Sequence, residues 1–272
     1  MTTMSLRPLF ELPRAVAAQL HTVFSDIDDT LTTDGRLPPQ AYAAMDQLRH
    51  AGLRLILITG RPAGWCDHIA RMWPVDGVIG ENGAFYYWHD NEARKLKCRH
   101  LLDATEREAH AAKLAQVRDT ILREVPGCAV ASDQFCRLYD LAIDFCEDVA
   151  PLPDAAIDRI VALMEQAGMT AKVSSIHVNG WFGSYDKLSM AQLMLRERYG
   201  LELAQERERC LFVGDSPNDA PMFAYLPHAV GVANVHDMAA RRSALPAYVT
   251  PSRGGAGFAE VASALVAARE AS

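Results

Sequence analysis

Two aspartates two residues apart, Asp26 and Asp28, follow the short apolar run Thr22-Val23-Phe24-Ser25. Such a run reads as a buried strand, and acids at the carboxyl end of a strand in an open α/β sheet stand where ligands bind. Asp26 is a candidate nucleophile toward phosphorus, giving an aspartyl-phosphate. Asp28 can act as general acid for the leaving oxygen and then as base for water. Carboxylates alone would repel a phosphate dianion, so a cation is required. A second acidic pair, Asp215 and Asp219, follows the apolar run Cys210-Leu211-Phe212-Val213-Gly214. Asp26, Asp215 and the backbone carbonyl of Asp28 offer the hard oxygens that Mg²⁺ prefers. Asp219 is expected to bind through water or to orient a ligand.

Thr59 closes a third apolar run, Leu53 to Ile58, and is followed by Gly60 and Arg61. The Thr59 hydroxyl and the adjacent backbone N–H groups can hold a phosphate oxygen. Lys187 opens a helical pattern, and its ammonium is a point charge suited to nucleophile and phosphoryl group together. Each element alone has an ordinary structural reading: a D-x-D turn, a Thr-Gly strand exit, a solvated lysine, a Gly-Asp-Ser helix cap. Together, each at a strand end or helix start, they favour one divalent-metal site for phosphoryl transfer, a reaction that rests on positioning and electrostatics.

The elements needed to position these residues are legible as strand 22–26, helix 38–51, strand 53–58, helix 62–72 and strand 77–80, an alternation that predicts parallel βαβ units. From about residue 84 the pattern becomes αββαββ: helix 104–125, alternating runs 128–132 and 135–145, helix 153–167, alternating runs 169–174 and 176–182. Period-two alternation suits an antiparallel sheet covered on one face. The βα pattern then resumes with helix 187–199, strand 210–214, helix 218–225, strand 229–233, helix 235–243 and strand 247–250. The expected organisation is a core formed by 1–84, with a lead of about 20 residues, and 185–272, interrupted by an inserted unit at 85–184. The Tyr86-Tyr87-Trp88 run is expected to serve core or hinge packing.

At 272 residues and 50% hydrophobic the chain can bury a full core. A net charge of −7 with interspersed Lys and Arg gives no basic field for nucleic acid or anionic lipid. No apolar stretch approaches the roughly 18–20 residues of a membrane span, and Glu11 and Pro13 fall where a signal peptide would be apolar. A cytoplasmic location follows as an expectation. The six cysteines form no C-x-x-C pair, and are expected to be reduced, mostly buried small hydrophobes.

With these residues assembled, the chain resembles the haloacid dehalogenase superfamily of phosphohydrolases. Its four motifs appear as Asp26-Ile27-Asp28-Asp29-Thr30-Leu31-Thr32, Ile58-Thr59-Gly60-Arg61, Lys187, and Gly214-Asp215-Ser216-Pro217-Asn218-Asp219. The insertion looks like the subtype-B, type-two cap shared by sucrose-phosphate, trehalose-6-phosphate and mannosyl-3-phosphoglycerate phosphatases and Cof-like sugar phosphatases, and Glu81-Asn82-Gly83-Ala84 resembles that group's Asn-Gly-Ala segment. The resemblance implies a Rossmann-like α/β core with a parallel sheet and an inserted α+β cap. It also implies Asp26 as nucleophile, Asp28 as acid/base, Thr59 and Lys187 as phosphate ligands, and Asp215 and Asp219 in a Mg²⁺ site. The motif departs at Asp29, where many relatives carry Gly.

In such enzymes the cap selects the substrate. The last cap strand alternates Ser175, His177, Asn179 and Trp181 with Ile176, Val178, Gly180 and Phe182. The first set is expected to face the active site, Asn179 hydrogen-bonding a sugar hydroxyl and Trp181 offering a stacking surface, with Asn82, Gly60 and Arg61 as further substrate contacts. The expected partner is a small phosphorylated metabolite, a sugar phosphate or phosphorylated sugar acid. A phosphomutase of the phosphomannomutase type and a non-catalytic sugar-phosphate sensor are the alternatives.

Overall fold

The computed structural model describes residues 6–237 and 243–270. Its main sheet contains β1 (Arg7–Pro8), β2 (Thr22–Ser25), β3 (Arg54–Ile58), β4 (Gly77–Gly80), β5 (Phe85–Asp90), β6 (Lys95–His100), β11 (Cys210–Gly214), β12 (His228–Gly231) and β13 (Tyr248–Val249). The strand order is β1-β13-β12-β11-β2-β3-β4-β5-β6, parallel from β1 to β4 and antiparallel at β4–β5 and β5–β6. The chain runs outward from β2 through β3 and β4, then returns to β11 on the other side of β2. The order therefore reverses between β2 and β11, the place where an α/β sheet opens a ligand crevice.

Helices α1 (Arg14–Gln19), α2 (Pro39–His50), α3 (Ala63–Met72), α6 (Lys187–Tyr199), α7 (Leu203–Glu206), α8 (Ala220–Tyr225) and α9 (Gly254–Glu270) accompany this sheet. The strands are apolar on both faces for a reason visible in the packing. Val23, Leu55 and Leu57 join Met45, Leu48 and Phe258 in one layer, whereas Phe24, Ile56 and Ile58 join Met190, Met194 and Met222 in the other. Each such side chain, fully buried, contributes about 1.5–3 kcal/mol, so register at the strand ends is strongly fixed.

The insertion has the αββαββ order: α4 (Ala104–Glu124), β7 (Ala129–Val130), β8 (Asp140–Asp144), α5 (Asp154–Gln166), β9 (Thr170–Val173) and β10 (His177–Trp181). Its four strands form one antiparallel sheet, β7-β8-β10-β9. Its own core comprises Ile121, Leu141, Ile143, Ile157, Ile160, Met164 and Val178. A capping box starts α4: Asp103 Oδ1 accepts from the Glu106 amide while the Glu106 carboxylate accepts from the Asp103 amide.

Two expectations need correction here. Residues 85–100, placed in the insertion by the change of pattern, form the β5–β6 hairpin and extend the main sheet through β4. The cysteines are all free, but only Cys66 and Cys210 are buried, with Cys98 exposed and the others intermediate. Of the helix expected at 235–243, the structure has a 3₁₀ turn at Ala233–His236, and 238–242 lie outside the described residues. The C-terminal α9 was not anticipated, because its opening Gly-Gly-Ala-Gly weakens the helical signal. No described helix is long and apolar enough to cross a membrane.

Candidate active site

The reversal point gathers the motif residues. Asp26 follows β2, Thr59 follows β3, Asp215 follows β11, and Lys187 opens α6. Lys187 Nζ lies 2.9 Å from Asp26 Oδ2 and 2.7 Å from Asp219 Oδ1, and the lysine is 1% exposed. A cation in the first turn of a helix opposes the macrodipole, so the two carboxylates must hold it there. They keep the buried Lys187 ammonium above its ordinary range although burial alone would lower it.

Asp219 is fully engaged. Its Oδ2 accepts from the amides of Asp215 (3.0 Å) and Ser216 (3.1 Å) while Oδ1 accepts from Lys187. This approach requires glycine at 214, where a Cβ would fall 2.4 Å from Asp219 Oδ2. Asp215 Oδ1 accepts from the Thr30 hydroxyl at 2.7 Å. Ligand oxygens of Asp26, Asp215 and Asp219 lie within 4.8 Å of one another, all three residues buried. Three buried carboxylates against one ammonium leave a negative excess in a dry environment. Burial, reinforced by the neighbouring acids, pushes Asp26 up to about 8 and Asp215 well above the usual carboxylate range. That deficit of positive charge and the hard oxygen set fit a divalent cation, with Asp26 and Asp215 as the available ligands and Asp219 as the group that orients them.

Asp28 turns its carboxylate the other way. Arg61 Nε donates to its two oxygens at 3.0 and 3.1 Å. The same guanidinium reaches Glu147 of the insertion at 2.6 Å and sits 4.4 Å over the Trp65 ring. Glu147 also lies 2.9 Å from His177 Nε2, and Asp144 fixes its turn by accepting the amides of Cys146, Glu147 and Asp148. Burial would raise the Glu147 carboxyl, but His177 and Arg61 outweigh it and hold it at about 2. The sign follows: a depressed carboxylate stabilises fully above its unfolded value near 4.5, and that contribution is lost as pH falls toward 2. The stability difference between wild type and Glu147→Gln in thermal unfolding should therefore be present at pH 5 and shrink as pH falls from about 4.5 toward 2. A difference that persists unchanged at pH 2 would contradict the contact.

The pocket between core and insertion is lined by Asp26, Asp28, Gly60, Arg61, His177 and Asn179, among others, with a free volume of only about 10 Å³, roughly one water. The insertion is closed on the core. A larger groove of about 570 Å³ beside Tyr42, Trp73 and Trp88 touches none of the motif residues. Behind Gly60 and Arg61 of the pocket lining, Thr59 Oγ1 accepts the Arg61 amide at 2.9 Å, which shapes the turn. Asn82, buried and left-handed at φ 56°, accepts from Asn218 while its own Nδ2 has no partner. An orphaned buried donor beside Gly60 suits a phosphate oxygen.

His177 and Asn179 reach the pocket from β10, as the alternation predicts, while Val178 faces the insertion's core. Trp181 does not. It is fully buried and stacks on Tyr185 with centroids 5.4 Å apart, so it offers no surface to a ligand. Asp29 has φ 55°, a region that favours glycine, which accounts for the glycine common at this motif position. Glu147 and Arg137 were missed by sequence reasoning, and Glu81 and Asn218, which stand inside quoted motifs, were given no role of their own. The partners that matter here, such as Arg61 for Glu147, Gly60 for Arg137, Leu138 for Glu81 and Asn82 for Asn218, lie across the fold.

Residues 23–122 match the haloacid dehalogenase-like hydrolase family. The chain is 28% identical over 239 residues, 86% of its length and 91% of the relative's, to a phosphoglycolate phosphatase of Pyrobaculum neutrophilum. Its fold is similar to the trehalose-6-phosphate phosphatase C-terminal domain of C. albicans, with TM-score 0.68, 13% identity and coverage of 98% and 99% of the two chains. It is also similar to the sucrose-phosphatase of Synechocystis in complex with sucrose and phosphate, with TM-score 0.58, 18% identity and coverage of 91% and 98%. The family match, the curated relative and the assembled motifs support a haloacid dehalogenase-type phosphatase, and the solved structures share the fold of the chain.

Proposed function

We propose that the protein is a Mg²⁺-dependent phosphomonoesterase that works through an aspartyl-phosphate on a small phosphorylated sugar or acid. The observation that carries this reading is the placement of Asp26: a buried carboxylate at the sheet's reversal point, held by Lys187 at 2.9 Å and flanked by the pocket that contains Asp28. Asp26 attacks phosphorus, and the bond from phosphorus to the leaving oxygen breaks as Asp28 gives that oxygen its proton. Asp28, now ionised, takes a proton from water, whose oxygen displaces Asp26 from phosphorus and frees inorganic phosphate. Lys187, the Asn82 amide and the backbone around Gly60 hold the phosphoryl oxygens, and the closed cap excludes bulk water. A bound Mg²⁺ at Asp26 and Asp215 supplies positive charge against the phosphate.

The substrate class rests on the cap side of the pocket. There Ser174, Ser175, His177 and Asn179 are polar beside the apolar Ile176, and the core's Arg61 faces them, which suits hydroxyl or carboxylate groups beyond the phosphate. The names of the relatives, a phosphoglycolate phosphatase and two sugar-phosphate phosphatases, support the same range. Six free cysteines suit a reducing, cytoplasmic setting. Phosphate release from a panel of sugar phosphates, phosphorylated acids, nucleotides and aryl phosphates, with Mg²⁺ and with EDTA, tests the reading. Selective release that EDTA abolishes is expected. Conversion of one sugar phosphate to another without net phosphate would instead identify a mutase, and release indifferent to EDTA would overturn the metal requirement.

A further inference from the structure

The proposed chemistry leaves unused a buried carboxylate one residue from Asn82. Glu81 has no exposed surface and, like Asn82 after it, a left-handed backbone, with φ 43° and 56°. Two consecutive non-glycine residues in that region persist only where their surroundings over-determine them. Their amides donate to the carbonyls of Arg61 (3.1 Å) and Thr59 (3.0 Å), which binds them to the phosphate loop. Their side chains then part. Asn82 turns toward Gly60 and Asn218, and Glu81 turns into the seam between core and cap.

There the Glu81 carboxylate accepts from Ala63 N at the start of α3 (3.0 Å) and from the amides of Leu138 (2.9 Å), Tyr139 (2.6 Å) and Asp140 (3.2 Å) leading into β8. Arg137 makes a parallel tie: its buried guanidinium donates to Gly60 O at 2.8 Å and to Asp140 at 3.1 Å. Asp140 in turn accepts from Asn179 Nδ2 at 2.8 Å. Phosphate loop, Glu81, cap segment 137–140 and the pocket residue Asn179 therefore form one connected network.

We propose that Glu81 is a positioning residue for substrate selection: it fixes the cap's recognition wall to the phosphate loop and takes no part in the chemistry. The proposal rests on the functional reading above for what the pocket binds. Opening this seam would strand a carboxylate and several amides in a dry environment, a cost that water repays only if it floods the seam. The opposite end of β8 differs. There the cap meets the core through Arg61 and Glu147, and Glu147 is 27% exposed, so water reaches this end of the seam.

Glu81→Gln keeps the side chain's size but sets an NH₂ against amide donors. Hydrogen exchange without substrate should speed up about tenfold or more at the amides of 138–140, with the amides of β2 and β11 unchanged. In turnover, KM for the best substrate of the panel should rise about tenfold, while kcat for p-nitrophenyl phosphate, which has no group for the cap to recognise, stays within about threefold. Glu81→Asp, which keeps the carboxyl group and tolerates a left-handed backbone, should recover part of both effects, and it carries the same measurements if Glu81→Gln does not fold. Unchanged exchange at 138–140, or equal loss on both substrates, would overturn the proposal. If wild type releases no phosphate from any compound, the functional reading fails on its own, and the exchange data still decide whether Glu81 braces the cap.

Discussion

Asp26→Asn is expected to abolish phosphate release, by about three orders of magnitude or more, while leaving a folded protein at least as stable as wild type in the absence of metal. Both halves follow from the same environment. Asn cannot form the acyl phosphate, so no partial route through this side chain survives. Removing its charge also relieves repulsion, because Asp26 is buried beside Asp219 and Asp28, and burial already drives it toward the neutral form near 8. Lys187 keeps its 2.7 Å contact with Asp219. Phosphate release by the two proteins over matched Mg²⁺ concentrations, with unfolding midpoints in EDTA, checks the pair of expectations. Turnover within tenfold of wild type would remove Asp26 from the nucleophile's role.

Lys187→Met should fail on both counts. The methionine fills the buried stem's volume but strips the Lys187 ammonium from beside Asp26 and Asp219, and breaking a buried ion pair by deleting one partner costs about 3–5 kcal/mol. For a chain of this size that corresponds to a fall of roughly 10 °C in the unfolding midpoint. Turnover should drop by about two to three orders of magnitude, since a preorganised charge aimed at the transferring group is lost. The contrast with Asp26→Asn is informative: one variant is inactive and stable, the other inactive and destabilised. A Lys187→Met protein that melts with wild type would mean that the triad of charges is solvated in solution.

The core half of the candidate site was legible because each of its residues follows a local signal. A continuous apolar run ends, and the next polar residue stands at the sheet's edge: this locates Asp26, Thr59 and Asp215 without any knowledge of contacts. Lys187 is found by the helix it opens. The recognition half was legible only in direction. Alternation along 175–181 correctly assigns His177 and Asn179 to one face, but it does not say what covers that face, and at Trp181 it is Tyr185. Glu147 and Glu81 carry no pattern at all; their roles come from partners 86 and 57 residues away, Arg61 and Leu138. Residues 85–100 were placed with the insertion because only a change of pattern near residue 84 was read there, whereas as the β5–β6 hairpin they join the main sheet.

The central claim is that Asp26 receives the phosphoryl group and Asp28 manages the protons. An aryl phosphate separates the two steps, because p-nitrophenolate leaves without a proton while hydrolysis of the acyl phosphate still needs a base. Asp28→Asn mixed rapidly with p-nitrophenyl phosphate and Mg²⁺ should release a burst of p-nitrophenolate close to one equivalent per protein, followed by slow turnover, with the phosphoryl group mapped by mass spectrometry to Asp26. Steady turnover at the wild-type rate with no burst, or a phosphoryl group on any other residue, would contradict the account.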